Sequence, residues 1–199
     1  MAQPIMKQGV RVFRPQEFKL FLAAIPKREF QTIIKTMLFT GMRYVELQRL
    51  QANPKWFDGD FIQLPKEAIL KNEREQKDRS VRLTPRGKDI LPFFLEVGRS
   101  LPSSDTMQDN MELWASKAGL LPVDCILTHR KKETTTWGLS VKSTRKTWES
   151  WLTFWYPDRI TEITLSQGHT TITSVKHYLN MPFVTKDKEE MKDFVEGWI

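Results

Sequence analysis

The chain has 199 residues, of which 40% are hydrophobic and 28% charged, so it has enough apolar surface for a packed core. This length suits a single domain of good size, and the composition excludes a disordered chain. Its 31 lysines and arginines exceed 24 aspartates and glutamates, which gives a net charge of +7. Such an excess favours a polyanionic partner, nucleic acid first, although many basic proteins have a merely soluble surface.

The single cysteine, Cys125, excludes an internal disulfide and leaves no cysteine pair for a zinc or iron–sulfur site. The first twenty residues lack the apolar run of a signal peptide, and no stretch approaches the roughly 18 apolar residues that span a bilayer. We therefore expect an intracellular protein.

Helical patterns dominate the first fifty residues. Pro15 suits the first turn of one helix, and a second is predicted from Arg28 to about Phe39. Gly41 then interrupts the pattern, which resumes over 43–51.

Between residues 53 and 85 the pattern changes to short strands. A tight turn at 57–61 between short strands, with 62–64 after it, is followed by the segment 68–71, a very polar loop at 72–78 and a strand at 80–83. These features predict a β-hairpin with a charged tip that contains Lys71. Further helices are expected to follow Thr84, over 106–117 and from near Ser140, and a basic, threonine-rich loop over 128–136. The fold class predicted is mainly α with a small antiparallel β-sheet (α+β).

Four separated pieces of the sequence resemble the tyrosine recombinases, the family of phage-type integrases, and occur in the family's order. The first, Thr40–Leu47, is similar to the family's Thr-Gly-x-Arg-x-x-Glu-Leu box. The resemblance implies that Arg43 grips the scissile phosphate, for which a guanidinium offers two parallel donors. Without the resemblance, Arg43 and Glu46 would be interpreted as an i, i+3 surface ion pair.

The second piece is the hairpin, whose second strand reads like the family's Arg-x-Val-x-Leu. The resemblance implies a catalytic lysine on this hairpin, acting as general acid on the leaving 5′ oxygen. Lys71 is the first candidate and Lys77 its rival, since any lysine in so polar a hairpin is commonly just solvated.

The third piece, Lys142-Ser-Thr-Arg145, stands where the family usually shows His-x-x-Arg. The i, i+3 spacing puts both cations on one helical face, where they can converge on a phosphate. Lys142 departs from the usual histidine, so its role as a proton acceptor for the tyrosine does not carry over directly. Taken alone, Lys-x-x-Arg on a helix is usually a solvated face.

The fourth piece, Leu165–His169 followed by Tyr178, resembles the family's Leu-Gly-His box and nucleophile, with the usual interval of nine residues. The resemblance implies a catalytic set around one phosphodiester, in which Tyr178 forms a covalent bond with a 3′ phosphate. The implied catalytic residues are Arg43, Lys71, Lys142, Arg145, His169 and Tyr178. Preorganised positive charge stabilises the phosphorane-like transition state, so we expect neither a metal, ATP nor any other cofactor.

The implied activity is site-specific DNA recombination, for integration or excision of a viral or plasmid element in a prokaryotic host, with the protein in its cytoplasm or nucleoid. The expected partners are double-stranded DNA and further copies of the chain, as a tetramer on DNA and a monomer when free. The candidate DNA contacts are Lys77, Arg79, Arg82, Arg130, Lys131, Lys132 and Lys146. The alternatives are a type IB topoisomerase-like DNA-relaxing enzyme and a catalytically silent DNA-binding relative.

The resemblance covers residues 12–183, which we expect to form the catalytic core of a single domain after a polar leader at 1–11. We expect the family's N-terminal core-binding domain to be absent, in a fragment or a minimal enzyme. The tail at 184–199 is predicted to be an amphipathic helix. We expect it either to dock into a neighbouring protomer or to fold back on its own domain.

Overall fold

The computed structural model describes residues 3–66, 78–97, 100–123, 125–127, 133–168 and 181–198. The α-helices in these ranges are α1 (Pro15–Ala23), α2 (Arg28–Thr40), α3 (Tyr44–Ala52), α4 (Pro85–Leu95), α5 (Ser104–Lys117), α6 (Ser143–Trp155), α7 (Ile160–Gln167) and α8 (Thr185–Val195). The strands there are β1 (Ile5–Lys7), β2 (Val10–Val12), β3 (Phe61–Leu64), β4 (Arg79–Arg82), β5 (Cys125–Leu127) and β6 (Glu133–Thr135), in three antiparallel pairs. The predicted fold class is confirmed.

Helix α6 lies at the centre of the domain, packed against α2, β2, α7 and α8. Trp148, Trp151 and Leu152 are fully buried on it, because the tryptophan and leucine spacing places them within one apolar core. The helix begins at Ser143, slightly later than predicted from the apolar pattern. The reason is a turn in which the Ser143 hydroxyl accepts a hydrogen bond of 3.1 Å from the Ser140 amide.

Helix α6 also fixes the entry to α1. The Phe13 amide donates to the Thr147 hydroxyl at 2.9 Å, and the Trp151 indole donates to the Phe13 carbonyl at 3.0 Å. These buried polar atoms are satisfied across the interface, as a packed core requires. The start of α1 is therefore tied directly to the central helix.

Of the predicted hairpin, the structure describes the pair β3–β4, in which Phe61 lies opposite Arg82 and Leu64 opposite Arg79. The segment 68–71 and the loop residues 72–77 lie outside the described ranges. The turn before β3 is stabilised by the Asp58 carboxylate, which accepts from the Phe61 amide at 2.7 Å. After β4, the Thr84 hydroxyl caps α4 by accepting from the Gly87 amide at 3.2 Å.

Two further strand pairs were not predicted. The polar leader contains β1 and β2, joined at Gln8 and Gly9, which both have positive φ as in a tight hairpin turn. The threonine-rich stretch predicted as a loop contains β6, which pairs with β5. This part of the loop prediction was wrong because threonine, being β-branched, favours strands; residues 128–132 of the stretch lie outside the described ranges.

The C-terminal helix α8 packs against α1 and α6 of its own chain. Its apolar face buries Met191, Phe194 and Val195, and Trp198 is buried just beyond it. The single chain thus has the folded-back arrangement, and docking into a neighbouring protomer stays a prediction. None of the helices described is long and apolar enough to cross a membrane.

Candidate active site

Arg145, near the start of α6, reaches the ends of two other helices. Its Nη1 donates to the Gly41 carbonyl at 2.7 Å, and its Nη2 donates to the Gln167 carbonyl. Gly41 directly follows α2, and Gln167 is the last residue of α7. Carbonyls at helix C-termini lack intrahelical partners and carry partial negative charge, which suits a guanidinium. Arg145 therefore joins α2, α6 and α7 at one point.

Glycine is required where α2 and α7 end. Gly41 and Gly168 have φ of +56° and +65°, in the left-handed region. A Cβ on Gly41 would lie 2.5 Å from Gln167 Oε1 and 2.7 Å from Trp148 Cδ1, and a Cβ on Gly168 would lie 2.8 Å from Arg79 Nη1. A side chain at either position would therefore push apart the groups that surround Arg145 and Arg79.

The Glu46 carboxylate, fully buried on α3, forms ion pairs with two further arginines, Arg43 and Arg79. Arg79 from β4 donates to both of its oxygens, at 3.0 and 2.7 Å. Arg43 donates to it through Nη1 at 2.7 Å and through its backbone amide at 2.8 Å. The i, i+3 pair of Arg43 and Glu46 exists, but it is part of a cluster that the separate sequence pieces build together.

The electrostatics of this cluster favour its charged forms at neutral pH. Burial raises the pKa of Glu46, but the charge and hydrogen bonds of Arg79, followed by the charges of Arg145 and Arg43, outweigh burial and lower the pKa to about 2. Burial and then the charges of Arg43 and Arg79 lower the pKa of Arg145 to about 10. The charge of a second carboxylate, Glu149, acts on Arg145 in the opposite direction.

The three arginines differ in their access to solvent. The side chain of Arg43 is 38% exposed, whereas those of Arg79 and Glu46 are 7% and 0% exposed. Arg145 is buried as well. A ligand that approaches the cluster therefore meets Arg43 first, with the charges of Arg79 and Arg145 behind it.

Lys142 is exposed at the N-terminal boundary of α6, one turn before Arg145. The helical spacing of the two residues is as predicted, but their environments differ, since Arg145 is buried. Lys142 can therefore meet a ligand from solvent, whereas Arg145 acts from within the protein.

Two predicted DNA contacts have partners within the protein. The Arg82 guanidinium lies over the Trp198 ring, 5.5 Å from its centroid. Lys146 Nζ donates to the Lys7 carbonyl at 2.8 Å. Together with Arg79, which binds Glu46, these cations have structural roles that the sequence did not indicate.

The remaining predicted site residues lie outside the described ranges. They are Lys71, Lys77, Arg130, Lys131, Lys132, His169 and Tyr178. In the ranges that are described, no group of three or more histidine, cysteine, aspartate or glutamate side chains is arranged to hold a metal ion. The described part of the candidate site consists of the exposed Lys142, Arg43 and Arg79 on the Glu46 carboxylate, and Arg145 on two backbone carbonyls.

Two of the three tyrosines in the sequence are unsuited to nucleophilic attack. The Tyr44 hydroxyl donates to the Pro102 carbonyl at 3.0 Å, and burial raises its pKa. The Tyr156 hydroxyl donates to the Val195 carbonyl at 3.1 Å, and burial followed by the charge of Glu196 raises its pKa. A phenol whose proton is held in this way is a poor source of phenolate.

Sequence reasoning missed the role of Gln167, which is buried at the end of α7. Its backbone carbonyl accepts a hydrogen bond from Arg145, and its side-chain Nε2 donates to the Thr40 carbonyl at 3.5 Å. The glycine that follows it signals a helix end, but nothing in the sequence signals that the glutamine side chain turns inward.

The fold is similar to that of known recombinases. The crystal structure of XerA recombinase matches with a TM-score of 0.60 and 16% identity, over 97% of this chain and 65% of that chain. Two XerH site-specific recombinase structures with difH substrate, a post-cleavage and a pre-cleavage complex, match with TM-scores of 0.49 and 0.47 and 18% and 20% identity. These matches cover 94% and 84% of this chain and 53% and 50% of those chains.

No protein-family model and no curated protein sequence matches the chain. The chain spans less than two thirds of the XerA chain to which it is similar. At this level of identity the similarity concerns the fold. The chain has the fold of a tyrosine recombinase catalytic domain.

Proposed function

We propose that this chain is the catalytic domain of a site-specific DNA recombinase, which cuts and rejoins strands through a covalent bond between Tyr178 and a 3′ phosphate. The observation that carries the proposal is the cluster in which Arg43, Arg79 and Arg145 meet around Glu46 from three distant pieces of the sequence. A domain with this fold and an accessible arginine backed by two others is suited to bind a phosphodiester.

In this proposal the three arginines have two different roles, direct binding of the phosphate and long-range electrostatic stabilisation. Arg43, with its partly exposed guanidinium, binds the nonbridging oxygens of the scissile phosphate directly. Arg145 and Arg79 contribute fixed positive charge, since carbonyls and Glu46 already hold their orientations. Charge that needs no reorganisation is the largest usual source of transition-state stabilisation.

Tyr178 is the nucleophile in this proposal. The other two tyrosines donate their hydroxyl protons to backbone carbonyls and have raised pKa values, which leaves Tyr178 as the remaining phenol. Positive charge nearby favours the phenolate form of a tyrosine whose ordinary pKa is about 10. Its Oη forms a bond to phosphorus while the bond to the 5′ oxygen breaks.

Proton transfer is assigned to residues outside the described ranges. His169 accepts the phenol proton, which an imidazole can do near neutral pH. Lys71 donates a proton to the leaving 5′ oxygen, and Lys77 is the alternative donor. Lys142, which lies within the described residues, donates a hydrogen bond to a nonbridging oxygen of the phosphate. Attack by the 5′ hydroxyl of a second strand reverses these transfers and rejoins the DNA, which conserves the bond energy without ATP.

Assembly on DNA completes the proposal. Four copies of the chain bind double-stranded DNA as a tetramer, and the free protein is a monomer. The exposed Lys142 and the basic stretch at 130–132 contact the DNA backbone and fix the protein on the duplex. The reaction serves integration or excision of a viral or plasmid element.

The proposal is tested by trapping the covalent intermediate. The chain is incubated with a library of nicked duplexes of randomised sequence, in which the cleaved fragment diffuses away, and the products are separated on a denaturing gel. We expect a protein–DNA adduct that peptide mapping assigns to Tyr178, and we expect Tyr178→Phe to yield none. An adduct on another residue, or DNA binding without any adduct, contradicts the proposal, and the latter result identifies a silent relative.

The type IB topoisomerase alternative shares the tyrosine chemistry, so the adduct does not separate it from recombination. Incubation with a supercoiled plasmid separates the two. A topoisomerase relaxes any supercoiled plasmid as a monomer, whereas a site-specific recombinase acts on plasmids that carry the sequence recovered in the adduct. Relaxation of a plasmid without that sequence favours the topoisomerase.

A further inference from the structure

The segment 181–184, which begins three residues after Tyr178, packs against the start of the chain. Met181 is buried in a small apolar cluster with Ile5 and Val12, which belong to β1 and β2. Phe183 packs against this cluster and against the Phe154 ring, with centroids 5.3 Å apart. The β1–β2 hairpin therefore packs directly against this segment.

Arg14 holds the same segment through polar contacts. Its Nη1 forms an ion pair with Asp187, and its Nη2 donates to the Pro182 carbonyl at 3.2 Å. The same Asp187 oxygen accepts from the Val184 amide at 2.9 Å. Both charged side chains are largely buried, so the pair is held more strongly than a solvated surface pair. One ion pair thus fixes two backbone points of the segment.

Arg14 is itself held in place by the residues around it. The Arg14 amide donates to one oxygen of Glu17 at 3.0 Å, and the other oxygen accepts from Arg11 Nη2 at 2.6 Å. Arg11 is fully buried and donates through Nη1 to the Leu121 carbonyl at 2.7 Å. Arg14 is therefore hydrogen-bonded, through its backbone amide, to the buried ion pair of Glu17 and Arg11.

The hairpin that contacts the segment is also attached to the helix that carries Arg145. Lys146 Nζ donates to the Lys7 carbonyl at 2.8 Å and to Gln8 Oε1 at 3.0 Å, at the end of β1 and in the β1–β2 turn. The Phe13 amide donates to Thr147 on the same helix. Helix α6, the hairpin and the segment 181–184 are therefore connected by direct contacts.

From these contacts we infer that Arg14 is a positioning residue for Tyr178, a role that rests on the proposed function. Pro182 follows Tyr178 by four residues, and four residues span at most about 14 Å. A carbonyl fixed at Pro182 therefore limits where the phenol can lie relative to Arg145. Misplacement of a reacting group by about 1 Å can cost about 100-fold in rate.

The substitution Arg14→Lys tests this role. Lysine keeps a positive charge for Asp187, but a single nitrogen replaces the planar fork that serves Asp187 and the Pro182 carbonyl together. We expect the rate of adduct formation at saturating DNA to fall about 10- to 100-fold, while the DNA concentration for half-maximal rate changes less than about twofold.

The pair Lys19–Glu190 provides the matched control, because it joins the same two helices, 3.6 Å apart, by residues other than Arg14 and Asp187. We expect Lys19→Ala to leave both kinetic quantities within about twofold of the parent. An Arg14→Lys variant that reacts at the parental rate, or one that loses rate only in parallel with Lys19→Ala, overturns the inference.

Amide hydrogen exchange separates this inference from the proposed function. We expect peptides that cover 181–184 to exchange at least about tenfold faster in Arg14→Lys than in Lys19→Ala, because the Val184 amide loses an oriented acceptor. Unchanged exchange overturns the inference whatever the chemistry. If the parent protein forms no adduct on Tyr178 but Arg14→Lys still exchanges faster than Lys19→Ala, Arg14 remains the anchor of the segment. That result overturns the proposed function instead.

Discussion

Arg145 donates a hydrogen bond of 2.7 Å to the carbonyl oxygen of Gly41, which lies 104 residues earlier in the chain. The bond places the arginine of the third sequence piece beside the glycine of the first. Because Gly41 is followed two residues later by Arg43, the same contact sets the separation of the two arginines that the proposal assigns to one phosphate.

Replacement of Gly41 by alanine is expected to destabilise the domain strongly. The Cβ would strain a left-handed residue and overlap Gln167 and Trp148, so we expect a loss of about 3 kcal/mol or more in the free energy of unfolding. Urea denaturation measures this loss. Gly119→Ala is the control, since Gly119 has φ of +65° but nothing within 4 Å of its added Cβ, and its expected cost is about 1 kcal/mol. Equal losses would show that overlap with Gln167 and Trp148 does not matter.

The low pKa of Glu46 predicts a pH-dependent contribution to stability. Its folded pKa of about 2 lies below the ordinary value of 4.5, so the contribution is fully present above pH 4.5 and is lost as the pH falls toward 2. We expect Glu46→Gln to cost about 3 kcal/mol at pH 7 and progressively less in acid. Urea denaturation of both proteins between pH 7 and pH 3 checks this, with Glu189→Gln, at an exposed position, as the control. A difference that is independent of pH would disprove the assignment.

Arg43→Ala is expected to impair mainly the reaction, and Arg79→Ala mainly the stability of the fold. Arg43→Ala removes the accessible donor and should slow adduct formation by about 10² to 10³ while it costs about 1 kcal/mol or less in stability. Arg79→Ala breaks a buried pair and should cost about 3–5 kcal/mol. Urea denaturation and the adduct assay measure the two effects. An Arg43→Ala protein with unimpaired reaction would remove Arg43 from the site.

Lys142 and Lys146 provide a comparison on one helix. Lys142 is exposed, whereas Lys146 donates to the Lys7 carbonyl and has a pKa lowered by burial and then by the charges of Lys142 and Lys7. We expect Lys142→Ala to reduce the slope of log affinity against log salt by about one, and Lys146→Ala to reduce it less. DNA binding at several salt concentrations measures both slopes. The reverse order would place Lys146 on the DNA.

Much of the fold could be predicted from local signals. The end of α2 at Gly41 and the start of α4 after Thr84 follow from a glycine in the left-handed region and from a threonine cap, both recognisable in a few residues. The strands β1 and β2 were missed because each has three residues, too few for an alternating pattern to show. Their pairing depends on the two-residue turn at Gln8 and Gly9.

The site could be predicted only in part. The box around Arg43 and the helix around Arg145 were recognisable by resemblance, and the structure joins them through Gly41 and Glu46. The burial of Arg79 was not predictable, because β4 and α3 meet only in the folded chain, 33 residues apart. A lone arginine at the end of a polar hairpin resembles a solvated cation, and its carboxylate partner is not local.

The arrangement around Glu46 has a consequence for the resting protein. Burial first, and then repulsion from the charges of Arg43 and Arg79, disfavour the charged form of Arg145, whereas the charges of Glu46 and Glu149 favour it. In the proposed function, a phosphate bound at the cluster relieves this repulsion in the native state alone, since an unfolded chain does not hold the three guanidinium groups together. By mass action, occupancy of the cluster and the resistance of the fold to denaturation are thermodynamically linked.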